Sequence, residues 1–379
     1  MAKAPVITKI EVRKVPFMFK DIGKAPKQSS VTYIPGAKMT WSTFMTRVFT
    51  DQGIVGEYAL GSDISSAADL LLGQSALERG HYFSEQSRYP NNVAGAVDLV
   101  LWDIAGKFHD ASVSELLGGY RKKLPAYASS MNGGISGGLS IPESFGEFAQ
   151  QCQEIGYKAF KIHPYPRPEL QDHIDAILAI RDAVGPNMDL MLDSFCFYRS
   201  FGDALKVGKA CDEANYFWYE DPYFEGGAAE YGHRKLREMI STPLLQGEKV
   251  ATIQQKVNLL LADATDYIRG SIPGNGVTGT MKLASAAEAL GVDVEIHGIG
   301  PAQRHVMSAI GNSNYYEMVW VHPDVECLQM TNDIYANYED GLNAIDSDGN
   351  VGIPDGPGFG VEYDWKAIER MTETTVVSE

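Results

Sequence analysis

The sequence predicts an α/β chain whose larger part is a closed barrel of repeated βα units. From about residue 124 onward, short apolar runs alternate with amphipathic helical stretches. There are eight such runs, mostly about 25–35 residues apart, which is the repeat length of a strand plus a crossover helix. No glycine-rich dinucleotide fingerprint follows any of them, so the reading goes to a barrel rather than an open doubly wound sheet.

The elements follow in order. Residues 7–15 alternate as a strand, with Ile7, Ile10, Val12 and Val15 set among charges. Segments 43–50 and 54–59 flank Asp51-Gln52-Gly53, a hairpin turn. Between them, residues 16–41 carry Gly, Pro, Lys and Ser and predict a long loop, of the kind that serves as a lid or stays disordered. Residues 91–107 predict a helix, because Val93, Ala96, Val97, Val100, Leu101 and Ile104 keep helical spacing. Leu116-Leu117-Gly118-Gly119 ends this region on a glycine stop signal. The eight strand runs then fall at 126–130, 159–163, 189–193, 216–220, 244–248, 267–271, 292–297 and 315–320, with amphipathic stretches such as 145–155, 173–184 and 281–290 between them.

Composition bounds the function. A chain of 379 residues predicts two domains. Its 44% hydrophobic and 21% charged residues are those of a globular enzyme. A net charge of −17 argues against nucleic acid or an anionic membrane surface as partner, since phosphates would be repelled. A small anionic substrate stays open, because a divalent cation and local lysines can reverse the field inside one cleft. Cys152, Cys196, Cys211 and Cys327 form no CxxC pair, so neither a zinc site nor a disulfide framework is expected, and a reducing cytoplasm is. The N-terminal residues lack the apolar core of a signal peptide. No apolar run reaches the roughly 18 residues of a membrane span.

Barrel active sites lie at the C-terminal ends of the strands. The third, fourth and fifth runs end on Asp193, Glu220 and Glu248. Three carboxylates at one level repel each other unless a cation sits between them, and oxygen-only ligands suit Mg²⁺. Any one of them alone reads as a solvated loop residue, so the weight is on all three in register. Lys161 and His163 are two apart on the second strand and share a face. His297 ends the seventh strand across the barrel, and Glu317 lies near the start of the eighth. A substrate chelated between His163 and His297 would have a candidate acid or base on each side of its α-carbon, next to a metal that acidifies the α-proton. The other six histidines read as structural or exposed, with His305 a candidate pocket residue. Arg167 and Lys249 are weaker pocket candidates, Lys20, Lys24 and Lys27 read as solvated, and Trp102 and Trp218 as core or interface.

Taken together, these residues resemble the enolase superfamily, and its mandelate racemase subgroup in particular. The resemblance runs over nearly the whole chain. Residues Val97-Asp98-Leu99-Val100-Leu101-Trp102-Asp103-Ile104-Ala105-Gly106-Lys107 look like the helix joining cap to barrel. Asp193, Glu220-Asp221-Pro222 and Gly247-Glu248 look like the three metal-ligand motifs. Gly276-Val277-Thr278-Gly279 looks like the turn after strand six, and Pro357-Gly358-Phe359-Gly360-Val361 like the C-terminal return to the cap.

The resemblance implies a (β/α)7β modified TIM barrel with an α+β capping domain. The cap's N-terminal part would span 1–123 and the barrel 124–325, and 326–379 would return to the cap. It implies Mg²⁺, mobile cap loops over the substrate (here 16–41 and 61–66), and abstraction of the proton α to a carboxylate. Lys161 matches the first lysine of the family's Lys-x-Lys motif, which contacts the substrate carboxylate. His163 stands at the second lysine, the usual base; His297 matches the opposing histidine, and Glu317 the acid that bonds the substrate carboxylate. Two departures stand out. The aspartate that orients the opposing histidine belongs near Gly270 or Ser271, and neither can serve; Phe195 stands where an asparagine is common.

The expected activity is therefore dehydration of an acid sugar, an aldonate or aldarate, with His163 and His297 sharing the acid and base roles. Racemisation or epimerisation of a hydroxy or amino acid derivative through the same enediolate is the alternative, and a carboxylate-binding member with little turnover a second. A metal-dependent hydrolase would show HxH-type ligands and zinc, and the sequence has no such motif. The expected partner is a small-molecule carboxylate, with no nucleic acid or membrane, in a homo-oligomer (dimer or octamer).

Overall fold

A computed structural model describes residues 3–24, 31–85, 88–134, 137–165, 169–223, 229–325 and 333–379. Lys27, Arg167 and Cys327 lie outside these residues. The chain opens with strands β1 (Ile7–Lys24), β2 (Val31–Thr50) and β3 (Val55–Gly61). Four helices follow: α1 (Ala68–Leu71), α2 (Arg79–Ser84), α3 (Asn91–His109) and α4 (Val113–Leu116). Strands β1, β2 and β3 form an antiparallel meander, and the Asp51-Gln52-Gly53 turn joins β2 to β3 as expected.

The loop expected over 16–41 is instead a long two-stranded arm of β1 and β2, paired from Val15↔Thr43 outward to Lys24↔Val31. Its residues alternate after all: Phe17 and Ile22 are buried, while Met18, Lys20, Lys38 and Thr40 are exposed. The prolines conceal this pattern. Pro16 lies on β1 beyond the last residue paired to its other neighbour, so its missing N–H breaks no ladder on that open side.

The barrel strands are β4 (Lys123–Asn132), β5 (Ala159–His163), β6 (Asp189–Asp193), β7 (Trp218–Glu220), β8 (Leu244–Gln246), β9 (Tyr267–Ser271), β10 (Asp293–His297) and β11 (Tyr316–Val321). Neighbours from β4 to β10 pair in parallel and in sequence order, and β11 pairs back onto β4. Seven helices fill the crossovers: α5 (Pro142–Ile155), α6 (Leu170–Val184), α7 (Phe201–Glu213), α8 (Glu230–Arg237), α9 (Ile253–Leu261), α10 (Ile272–Ala289) and α11 (Pro301–Ala309). Among the described residues, eight strands and seven helices make a (β/α)7β barrel. Strand β12 (Asn350–Gly352), helix α12 (Trp365–Met371) and strand β13 (Thr374–Ser378) end the chain. Strand β13 pairs with β1, so the last segment completes the N-terminal sheet.

Strand alternation sorts the side chains. Phe160, Ile162, Leu190, Leu192, Ile268, Val294 and Ile296 pack against the helices in the main core. The inward set is layered. Ala159, Met191, Trp218 and Leu245 form an apolar floor with Tyr127. Above it come charges, Lys161, Glu220, Arg269 and Glu317, all 0–1% exposed. Cap and barrel meet where Asp98 of α3 accepts from the Thr278 backbone N–H (2.8 Å) and hydroxyl (2.6 Å) on α10. Gly276 makes this approach possible: its φ is +62°, and a Cβ there would lie 2.4 Å from the Asp98 carboxylate. Among the described residues no helix is long and apolar enough to cross a membrane.

Candidate active site

The layer above those charges is the barrel mouth. Asp193 ends β6 and Glu220 ends β7. Glu248 was expected to end its strand, but β8 stops at Gln246. Gly247, with φ +105°, turns the chain so that Glu248 follows in the loop. Oxygen atoms of Asp193, Glu220 and Glu248 still lie within 4.8 Å of one another. Three carboxylates that close, two of them buried, need positive charge.

Part of that charge is built in. Lys161 Nζ, fully buried, lies 2.8 Å from Glu317, 3.1 Å from Glu220 and 3.5 Å from Asp193. Burial opposes its charge, but Glu220 and Glu317 hold its pKa well above the ordinary lysine range. Burial would likewise raise Glu317, yet Lys161, Arg269 and His297 hold it well below the usual carboxylate range. Glu317 also accepts from the Ser129 hydroxyl (3.0 Å) and the Gly298 N–H (2.7 Å). Lys161 therefore stays a cation and Glu317 an anion, and neither is a proton carrier near neutral pH.

Arg269 was not singled out in the sequence. It is fully buried, and its Nε (2.7 Å) and Nη2 (2.6 Å) donate to the two oxygens of Glu220. Its signal was legible: one charge in the middle of an otherwise buried strand, which requires a buried partner.

The two histidines differ. His163 is 3% exposed. Its Nδ1 lies 2.6 Å from the Ser130 carbonyl and its Nε2 3.1 Å from Asp193 Oδ2. His297 has a side chain 36% exposed, with Nε2 3.5 Å from Glu248. Ser271 is its register partner on β9, but the Ser271 hydroxyl accepts from the Gly274 N–H and caps α10. A Cβ on Gly270 would face Ile296, Val294 and Thr280 in the layer beneath the helices. Neither position offers His297 a carboxylate. Phe195, in a left-handed conformation (φ 52°), donates its N–H to Asp193 Oδ1 at 2.8 Å.

His305 is a correction: it is no pocket residue. Its Nδ1 accepts from the Ser114 N–H (3.0 Å) and its Nε2 pairs with the Phe359 carbonyl (3.0 Å), pinning α11 to α4 and the C-terminal segment. Lys249 pairs with Glu248 and lies over the Phe195 ring, beside the carboxylate cluster. The β1–β2 arm reaches this end of the barrel. Thr32 on β2 donates to the Asn132 and Gly133 carbonyls, Tyr33 stacks on His322 at 4.6 Å, and Trp41 meets Trp320 at 5.9 Å.

The fold and the mouth carboxylates define the class. Residues 144–367 match the family model described as Enolase C-terminal domain-like, and the chain belongs to that family. Its relatives include D-gluconate dehydratase of Thermoproteus tenax, 27% identical over 305 residues. That alignment covers 77% of this chain and 58% of the relative, so the chain spans less than two thirds of that protein's length. D-xylonate dehydratase of Haloferax volcanii is 25% identical over 368 residues, covering 86% of this chain and 84% of that one. Among solved structures, D-glucarate dehydratase from Agrobacterium tumefaciens, complexed with magnesium, has a TM-score of 0.88 at 28% identity, covering 98% of this chain and all of that one.

Proposed function

We propose that the chain is a Mg²⁺-dependent dehydratase of an acid sugar, an aldonate or aldarate. It removes the proton α to the carboxylate and expels the β-hydroxyl, giving a 2-keto-3-deoxy acid. The observation that carries this reading is the mouth itself, where a three-carboxylate cluster stands beside a permanent cation, Lys161, and an accessible histidine, His297. The names of the relatives support the same reading.

Asp193, Glu220 and Glu248 would hold the metal. Their donor set is oxygen only, with no sulfur or nitrogen in the cluster, which suits Mg²⁺. When bound, Mg²⁺ supplies positive charge to the substrate carboxylate and stabilises the negative charge that develops there as the α-proton leaves. The chain's own residues do the rest. Lys161, held by Glu317, supplies fixed positive charge behind the carboxylate cluster that faces the substrate. His297 Nε2 takes the α-proton. The C–O bond of the β-hydroxyl breaks, the departing hydroxide takes a proton and leaves as water, and the remaining enol becomes the ketone by a proton shift to carbon.

The substrate is thus a small-molecule carboxylate. The burial of the unpaired thiols Cys152, Cys196 and Cys211 supports a cytoplasmic setting. The assembly state that goes with the reading is a dimer or octamer, which light scattering reads directly. The test of function is a screen of aldonic and aldaric acids with Mg²⁺ in D₂O, following 2-keto acid and α-proton exchange together. Keto acid from one acid sugar is the expected result. Exchange without keto acid would replace dehydration by racemisation or epimerisation, and silence across the library would leave a carboxylate-binding role.

A further inference from the structure

His163 occupies the place of a second proton carrier, but its surroundings describe another task. The pairing of β4 with β5 slips at this point: Ser129 faces Lys161, while His163 faces Asn132 rather than Met131. The extra residue is a bulge in β4, which takes Ser130 out of the regular ladder. Ser130 then holds His163 twice, its hydroxyl accepting from the His163 backbone N–H (3.2 Å) and its carbonyl meeting Nδ1 (2.6 Å). A carbonyl can only accept, so Nδ1 is spent as a donor. The other ring nitrogen faces Asp193 Oδ2, a carboxylate oxygen that also only accepts. Both ring nitrogens thus face protein oxygens rather than the open mouth, and the ring is 3% exposed.

Asp193 is correspondingly well held. Its Oδ2 meets His163 Nε2 and its Oδ1 accepts from the Phe195 N–H. A contact on each oxygen limits rotation of the carboxylate, and with it the direction of the lone pairs left for a cation.

We propose that His163 is a positioning residue that orients the metal ligand Asp193 through the β4 bulge, and that proton transfer is confined to the His297 side of the substrate. The inference rests on the metal-dependent reading above. It deepens that reading by giving one histidine both steps: His297 Nε2 accepts the α-proton and returns it to the departing hydroxide, so both leave from one face as water.

The test is Mn²⁺ titration, by electron paramagnetic resonance or calorimetry, of the wild type, His163→Phe and His163→Gln. It is coupled to α-proton exchange in D₂O at saturating Mg²⁺ on whichever acid sugar the enzyme turns over. Loss of a group that orients a ligand weakens metal binding by about 10–100-fold, and His163→Phe should do so. His163→Gln keeps an amide N–H for Asp193 and should recover most of the affinity. At saturating metal both variants should retain exchange within several-fold. Unchanged Mn²⁺ affinity with exchange lowered by roughly 100-fold or more, the effect of losing a general base, would overturn the proposal in favour of a catalytic His163. Unchanged affinity and unchanged exchange would overturn it as well. The Mn²⁺ readout needs no substrate, so failure of the dehydratase reading would show separately, as an absence of keto acid from every acid sugar.

Discussion

At the scale of single residues, the mouth on the proposed reading has groups that hold charge and one group that moves protons. Lys161 is fixed as a cation by Glu317 and Glu220, and Arg269 holds Glu220 from below. Glu220→Gln should abolish turnover and weaken Mn²⁺ binding, which calorimetry reads. His297→Asn should leave Mn²⁺ affinity intact and lower turnover by about 10²–10⁴-fold, the contribution of a general acid–base group; near-normal turnover would remove His297 from its role. Arg269→Met leaves the buried Glu220 with Lys161 alone, so it should cost up to about 3–5 kcal/mol, the range for removing one partner of a buried pair. Urea unfolding should show that loss, and Glu220→Gln in the same chain should restore part of it, because the two residues share one interaction.

At the scale of elements, the barrel strands announced themselves in the sequence because each carries its chemistry at the same end. Asp193, Glu220 and His297 could be placed by finding where an apolar run stops. Glu248 was found for nearly the same reason, two residues past its strand. Three other features were hidden. The alternation of the β1–β2 arm is interrupted by Pro16, Pro35 and Gly36, and a proline on an open strand side looks the same in sequence as one in a loop. The β4 bulge has no composition of its own, since it is a mismatch between two strands. The third is His305, a buried connector among α4, α11 and the C-terminal segment, whose partners are backbone groups far off in sequence. Burial lowers its pKa to about 4, against 6.5 for a free histidine. The unfolded chain therefore binds this proton first, and the stability it contributes above pH 6.5 is lost as pH falls toward 4. At about 1.4 kcal/mol per pH unit for one group, wild type should lose stability faster than His305→Asn across that window in urea titrations. Asp98, buried and raised to about 6, works in the opposite sense: its native form keeps a proton the unfolded chain has released, so wild type should gain on Asp98→Asn as pH falls from 6 toward 4.

At the scale of the whole molecule, the N-terminal part is tied to the barrel by specific polar contacts. The Asp98–Thr278 contact is one, strengthened by Trp102 Nε1 donating to the same Thr278 hydroxyl at 2.9 Å. Within the N-terminal part, Asp103 Oδ1 accepts from the Phe359 N–H and Oδ2 from the Glu57 N–H, joining α3 to the C-terminal segment and to β3. Gly276→Ala drives a methyl group into Asp98 at a backbone angle that disfavours it. It should cost about 1–3 kcal/mol, in the range of strained or overpacked substitutions, and lower the thermal midpoint.

The pairing of β13 with β1 also sets an order of assembly on the ribosome. Synthesis adds roughly 5–20 residues per second, so β1 waits many seconds for the strand that completes its sheet. Every residue of the carboxylate cluster emerges in that interval, on barrel strands that from β5 to β10 pair with their immediate predecessors. The nascent chain can therefore bring Asp193, Glu220 and Glu248 together before β13 completes the N-terminal sheet.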